Sequence, residues 1–268
     1  MCVQLKNAFS EINVEFYNTI KYCDCRTINL GLLKKLDYEP RSATLFLLPY
    51  YVDQVENFSL YAASRDYHLI IKEIGEIILP KLEAAFPENH FSIFGDHSPI
   101  DERQAASYAG LGVLGDNGLL INEKYGSYVF IAEIISDVQP ELLGYSGCKD
   151  VRYCEHCGLC RSACPTAILA GNTMDCLSAI TQHKGELRED EVTLMKSCNT
   201  VWGCDACQLV CPHNKDALMT PISEFYKDRI TRLSTDTIEA MSDEDFSKRA
   251  FSWRGKKTIL RNLKLLGY

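Results

Sequence analysis

The chain has 268 residues, a formal net charge of −8, and 46% hydrophobic and 24% charged residues, with 13 cysteines. That length suits one and a half to two domains and can bury a sizeable core without staples. No apolar stretch approaches the length that spans a bilayer, the start is not a secretory leader, and the net charge argues against nucleic-acid binding by the molecule as a whole.

Residues 1–38 read as mostly helical. Phe9, Ile12, Val14, Phe16, Tyr17 and Ile20 give one apolar face, and Leu30, Leu32, Leu33 and Leu36 a second. Cys23 and Cys25 form a Cys-x-Cys pair without further ligands nearby and read as partly buried thiols. After a turn at residues 39–42, residues 43–51 form a short apolar run, a buried strand. Residues 59–86 read as a long amphipathic helix, with Ile70, Ile71, Ile74, Ile77, Ile78 and Leu82 at helical spacing. Residues 91–94 are a second strand and lead into Gly95-Asp96-His97-Ser98-Pro99. Residues 104–109 are a short helix.

Gly110, Gly112, Gly115 and Gly118 follow within nine residues. No strand and helix of a βαβ unit bracket them, so a dinucleotide fingerprint is not supported. Such a segment lets backbone approach backbone, or a large flat ligand. Residues 119–122 and 128–135 are strands joined by a turn at 124–127. The first half therefore alternates helices and apolar strands, and residues 137–147 form a linker.

The next segment carries the chemistry. Cys154, Cys157 and Cys160 are spaced i, i+3, i+6, and Cys164 follows, before a proline. In this bacterial-ferredoxin run three thiolates hold one cubane and the fourth reaches another cluster. A second group, Cys204, Cys207 and Cys211, also ends in Cys-Pro. The crossover assigns Cys154, Cys157, Cys160 and Cys211 to one 4Fe–4S cluster. It leaves Cys164, Cys204 and Cys207 for the other, short of one ligand. Cys176 and Cys198 both lie between the runs, and spacing does not choose between them. A zinc module is the competing reading, but its ligands come as pairs from two separated knuckles. Iron–sulfur clusters and reduced thiols indicate a reducing compartment, so a cytoplasmic location is expected.

The tail reads as helical. Ser242-Asp-Glu-Asp245 is a capping pattern before Phe246, and Ile259, Leu260, Leu263 and Leu266 stripe the last helix. From Ser247 onward there are seven basic residues and no acidic ones. A basic face of this kind can hold phosphates, although a solvated helix surface is the plainer reading.

Taken together, the chain resembles the epoxyqueuosine reductases, cobalamin and iron–sulfur enzymes that complete queuosine in tRNA. The resemblance rests on Tyr61-Ala-Ala-Ser-Arg65-Asp66-Tyr67-His68, Asp96-His-Ser-Pro99-Ile-Asp-Glu102-Arg103, Ala109-Gly-Leu-Gly112, Leu119-Leu-Ile-Asn122, Gly126-Ser127-Tyr128 and both cysteine runs, in the family's order. It implies an α+β chain in three parts. Residues 1–145 would be a nitroreductase-like α/β cobalamin-binding core, 146–218 a ferredoxin-like double-cluster domain, and 219–268 a short helical tail. It also implies that Cys176 completes the second cluster. Asp66, Asp96, Leu120, Ser127, Ile131, Ser178 and Asp205 become candidate cobalamin contacts.

Electrons from a flavodoxin- or ferredoxin-type donor would cross both clusters to the cobalt, whose reduced form opens an epoxide. Asp96 would protonate the departing oxygen, and for that its pKa should be raised. The expected partner is the tRNA anticodon region, and the expected state a monomer.

Three departures from the family pattern stand out. Val113-Leu-Gly115-Asp116 replaces a Trp and a Gly-Lys, placing an acid beside the presumed active site, where it would disfavour an anionic substrate. His213 stands where a Trp is usual. Of the tRNA-binding helical repeats only the first helix is expected. A smaller related substrate, bound without those repeats, therefore stands beside epoxyqueuosine in tRNA, and the alternative function is a ferredoxin-like electron carrier or redox module without substrate chemistry of its own.

Overall fold

The computed structural model describes residues 2–145 and 147–268. Its centre is a four-stranded antiparallel sheet in the order β1 (Tyr17–Lys21), β2 (Ser42–Pro49), β6 (Val129–Ser136), β3 (Phe91–Phe94). β4 (Val113–Leu114) and β5 (Leu120–Ile121) form a separate two-stranded ribbon. Helix α1 is Val3–Glu11, α2 Leu30–Leu33, α3 Tyr67–Ala85 and α4 Glu102–Tyr108.

The sheet is covered on both faces, because successive side chains of a strand point to opposite sides. Phe46, Leu48, Ala132 and Ile134 pack with Leu5 and Phe9 of α1 and Ile70, Ile74 and Ile78 of α3. Leu45, Leu47, Ile131 and Ile135 pack with Ala105 and Ala106 of α4 and with Leu120. Every residue of β2 is buried. Coverage on both sides gives β2 the continuous apolar run that a one-sided antiparallel strand lacks.

Two expectations need correction. Residues 1–38 are not mostly helical: α1 ends at Glu11, and β1 pairs with β2, Ile20 opposite Ala43. Asn13 adopts a positive φ of 57°, a conformation that Asn tolerates better than most residues and that stops a helix. The long helix begins at Tyr67 rather than Ser59. Asp66 is its N-cap, accepting the amide of His68. Residues 59–65 instead wrap against the cysteine segment, the amide of Ser59 bonding the carbonyl of Trp202 at 2.7 Å. The glycine run does bring backbone onto backbone: a Cβ at Gly112 would meet the carbonyl oxygen of Ile121 across the β4–β5 ribbon.

The cysteine segment carries α5 (Leu159–Ala163), α6 (Leu177–Gln182), α7 (Glu189–Cys198) and α8 (Ala206–Leu209), and the tail carries α9 (Thr235–Ala240), α10 (Asp243–Ser247) and α11 (Lys256–Leu266). Ser242 caps α10 as its spacing indicates, accepting the amide of Asp245. Phe58, Ala62 and Ala63 from the first half, Val201 and Trp202 from the cysteine segment, and Phe251, Ile259 and Leu263 from the tail form one apolar cluster.

Polar groups join the parts further. Gln208 Nε2 donates to the hydroxyl of Tyr50 (3.2 Å) and to the carbonyl and hydroxyl of Ser127 (both 3.1 Å). The Asn214 amide donates to the Ser127 hydroxyl (2.9 Å) and its oxygen accepts the Ser127 amide (2.7 Å). Gly126, at φ 57°, lets this approach happen, since a Cβ there would collide with Asn214. Asn262, fully buried, donates to the carbonyls of Thr181 (2.7 Å) and Val201 (2.8 Å).

Most of the basic tail residues are engaged locally. Arg249 and Arg261 donate to backbone carbonyls, Lys256 to the carbonyl of Met241, and Lys248 pairs with Glu244. Among the described residues no helix is long and apolar enough to cross a membrane.

Candidate functional site

Cys154, Cys157, Cys160 and Cys211 line one cavity of about 270 Å³. They arrive from two places: the loop before α5 and the first turn of α5 itself, where Gly158 at φ 77° turns the chain, and the residues just after α8. The structure thus brings these four thiols, from both cysteine runs, to one cavity. Asp116 and His213 border this cavity. Asp116, expected beside the active site, instead accepts from His156 Nδ1 at 2.7 Å and faces Arg161 at 3.5 Å. His213 pairs with Glu155 at 2.6 Å.

Among the described residues the one set of three candidate ligand atoms within 4.8 Å of one another is Asp116, Cys154 and His156. Four thiolates around a single zinc would lie about 3.8 Å apart for bonds of about 2.3 Å.

Around the other group, burial pushes Cys204 up to about 12 and Cys207 to about 11, and the charge of Cys176 raises both. Cys176 is the N-cap of α6. Cys198 ends α7, contacts Ser197, and borders a shallower cavity with Cys204. Cys164 is held by Thr166 at 3.6 Å.

The second feature is a cleft between the sheet, α6 and the tail. One part, about 500 Å³, is bordered by Tyr61, Asp66, Tyr67, His68, Asp96, Phe130, Ser178 and Trp253 among others. It shares Tyr67, Asp96 and Phe130 with a second part of about 160 Å³, whose wall includes Glu102, Arg103, Leu120 and Ile131. Five of the candidate contacts, Asp66, Asp96, Leu120, Ile131 and Ser178, thus converge from five stretches of chain. Ser127 and Asp205 border neither part. Ser127 lies in the Gln208–Asn214 latch described above. Asp205 is bound by the hydroxyl of Ser59 and the amide of Leu60 (2.7 Å), and burial raises its pKa.

The cleft is built on rings. Tyr67 stacks on Phe130 at 4.1 Å between centroids, and on the other side His68 lies 4.1 Å from Tyr67. His68 Nδ1 contacts Asp66 at 2.8 Å and Nε2 contacts Asp96 at 3.5 Å. These two carboxylates push His68 up to about 9. Asp96, at φ 61° and two-thirds exposed, is held below the usual carboxylate range, first by His68 and also by Tyr67. The expected raised Asp96 is thus overturned: an adjacent cation favours its ionised form. His68 holds the proton instead. Sequence reasoning quoted His68 as part of a motif and assigned it no role; the Asp-x-His turn at a helix start was the available signal.

Glu102 was missed as well. Its Oε2 accepts the Asp96 amide at 2.9 Å, and burial raises it to about 7.

An antiparallel sheet joined to two cysteine runs, four of whose thiols line one cavity, places the chain in the class of iron–sulfur proteins. Residues 153–214 match the 4Fe–4S double cluster binding domain family. The chain is 35% identical over 246 residues to an epoxyqueuosine reductase of Cyclobacterium marinum, covering 88% of this chain and 76% of that protein. In structure it resembles the epoxyqueuosine reductase of Streptococcus thermophilus (TM-score 0.76, 21% identity, 99% of this chain and 81% of that one). It also resembles an epoxyqueuosine reductase solved with an epoxyqueuosine-modified tRNA-Tyr stem loop (TM-score 0.74, 24% identity, 98% and 79%). The chain belongs to the epoxyqueuosine reductase family, and a simple electron carrier is not the favoured reading.

Proposed function

We propose that the chain is a cobalamin-dependent iron–sulfur reductase that removes the epoxide oxygen of epoxyqueuosine in tRNA. The observation that carries this is the convergence of Asp66, Asp96, Leu120, Ile131 and Ser178 on one cleft, beside the helix that Cys176 caps. The eight thiols Cys154, Cys157, Cys160 and Cys211, with Cys164, Cys176, Cys204 and Cys207, hold the two clusters. Cys198 stays free. Electrons from a flavodoxin- or ferredoxin-type donor enter at the first set, which borders the surface near His156 and His213, and leave from the second.

The cleft fits a corrin in kind: its combined space is of the size ligand sites have, and its walls set apolar Leu120, Phe130 and Ile131 beside the polar groups of Asp66, His68, Asp96 and Ser178. When bound, cobalamin supplies the strongly reducing centre that the side chains lack. The residues supply the rest. Asp66 and Asp96 hold the His68 ring between them and keep it protonated. The Tyr67–Phe130 stack fixes that ring against the sheet. Asp96 and His68 together deliver a proton to the departing oxygen.

The related enzyme's modified tRNA stem loop supports a tRNA substrate here, and Trp253 offers a stacking surface for a neighbouring base. It is 58% exposed at the cleft rim, with Arg254 lying 3.8 Å over its ring. The decisive test is expression in a host lacking its own epoxyqueuosine reductase. Queuosine should reappear in the tRNA; persistence of epoxyqueuosine would refute the assignment.

A further inference from the structure

Removing an epoxide oxygen as water takes two electrons and two protons: the two C–O bonds break, a C=C bond forms, and the oxygen leaves as H2O. The His68–Asp96 pair stores one proton. The second needs another source, and one lies directly beneath.

Glu133 is fully buried in the middle of β6, among Ile131, Ala132, Ile134 and Ile135. Its register partners are Leu45 and Phe94, the latter two residues before Asp96. As an odd-numbered residue of that strand it shares the face of Ile131 and Ile135, which packs on α4, the helix that begins with Glu102. Among the described residues neither carboxyl oxygen of Glu133 has a partner at ordinary hydrogen-bond distance, and the Ser98 hydroxyl acts on it only from further off. A buried carboxylate in that state is costly, whereas a neutral carboxyl is not. Glu102 in turn borders the cleft with Asp96 and holds the Asp96 amide.

We propose that Glu102, at the cleft wall, and Glu133, fully buried behind it, form a carboxyl pair that stores the second proton of the reaction and passes it to Asp96.

The surroundings are consistent. Burial first, then the charge of Glu102, pushes Glu133 up to about 8, with only the Ser98 hydroxyl opposing. Glu102 is opposed by the Asp96 amide and Arg103, while Asp96 and Asp101 push it further up. On the far side, Tyr22 and Cys25 face Glu133, and both are themselves raised, chiefly by burial, so neither supplies a cation. Two acids whose charges repel across a low-dielectric site ionise in turn rather than together, so one proton stays on the pair. In the cycle, Glu102 gives its proton to Asp96 directly or through one water. Glu133 reprotonates Glu102, and solvent entering by the cleft restores the pair after product leaves. Glu133, which reaches the cleft only through Glu102, is a positioning and storage residue.

This rests on the reductase reading, and the test separates the two. The first measurement uses the cluster-loaded protein without cobalamin, followed by infrared spectroscopy against pH. A carbonyl stretch of a protonated carboxyl group should be present at pH 7, be lost on raising the pH to about 9, and be absent in Glu133→Gln. A spectrum without that stretch at pH 7 overturns the pair, and this outcome needs no variant to fold.

The second measurement is the pH profile of kcat on modified tRNA. Glu133→Gln, which keeps shape but carries no proton, and Glu102→Gln should each lower kcat about tenfold at the alkaline end and move the alkaline limb to lower pH. Profiles that superimpose on the parent overturn the storage role. A parent chain without turnover, yet showing the carboxyl stretch, would fail the reductase reading and leave the proton pair standing.

Discussion

Asp96 and Glu133 are both carboxylates of the sheet half, and their neighbours drive them in opposite directions. Asp96 meets His68 and is held ionised; Glu133 is buried among apolar strands, faces another acid and no cation, and is held neutral. Asp96→Asn should therefore still bind cobalamin, seen by its absorption spectrum, while kcat falls by about 10²- to 10⁴-fold. The stability consequence of Glu133 has a definite sign. Its folded pKa of about 8 lies above the ordinary 4.5, so its contribution is complete below about pH 4.5 and is lost as pH rises through 8. His68, raised to about 9, adds to the same alkaline loss. The urea midpoint should fall between pH 6 and 9, and Glu133→Gln should flatten that slope without abolishing it. At the thiols, Cys176→Ala should lose about four of the eight irons of a double 4Fe–4S domain and Cys198→Ala none. Equal iron content in the two variants would contradict the assignment.

At the scale of elements, legibility followed locality. β2, β3 and β6 were readable because their apolar runs sit between turn residues, and α4 because it is short and bounded. β1 was not: its neighbourhood has enough apolar residues for a helical face, and only pairing with β2 makes it a strand. The start of α3 was misplaced because residues 59–65 are shaped by Trp202 and Asp205, far off in sequence. The cysteine runs announced their cavity, since ligand spacing is local in each run. The partnership of Glu133 with Glu102 was hidden, although one acid inside Val-Phe-Ile-Ala-Glu133-Ile-Ile was visible as an anomaly. Among the latching groups, Gln208 is nearly buried and serves three acceptors. Gln208→Ala removes the donor to the Tyr50 hydroxyl and the Ser127 carbonyl, leaving the Ser127 hydroxyl only Asn214, and should cost about 1–3 kcal/mol, read by chemical denaturation.

At the scale of the molecule, the three parts expected from sequence share their cores. The tail closes over Trp202 and Phe58, and Ile222 and Phe225 reach back to the sheet. The cleft takes a wall from each part, with Tyr67 and Phe130, Ser178, and Trp253 as examples. No part could form it alone, which is why it could not be read off any one segment.

The latch of Gln208 and Asn214 on Ser127 has a consequence for how the protein comes to exist. Both residues stand within three positions of a thiol proposed to hold a cluster, Cys207 or Cys211, so iron loading would order the very stretch that docks on the sheet. A freshly made chain deprived of iron should keep its sheet yet leave residues 150–216 open to protease. Metal delivery then acts as the assembly step that completes the binding pocket.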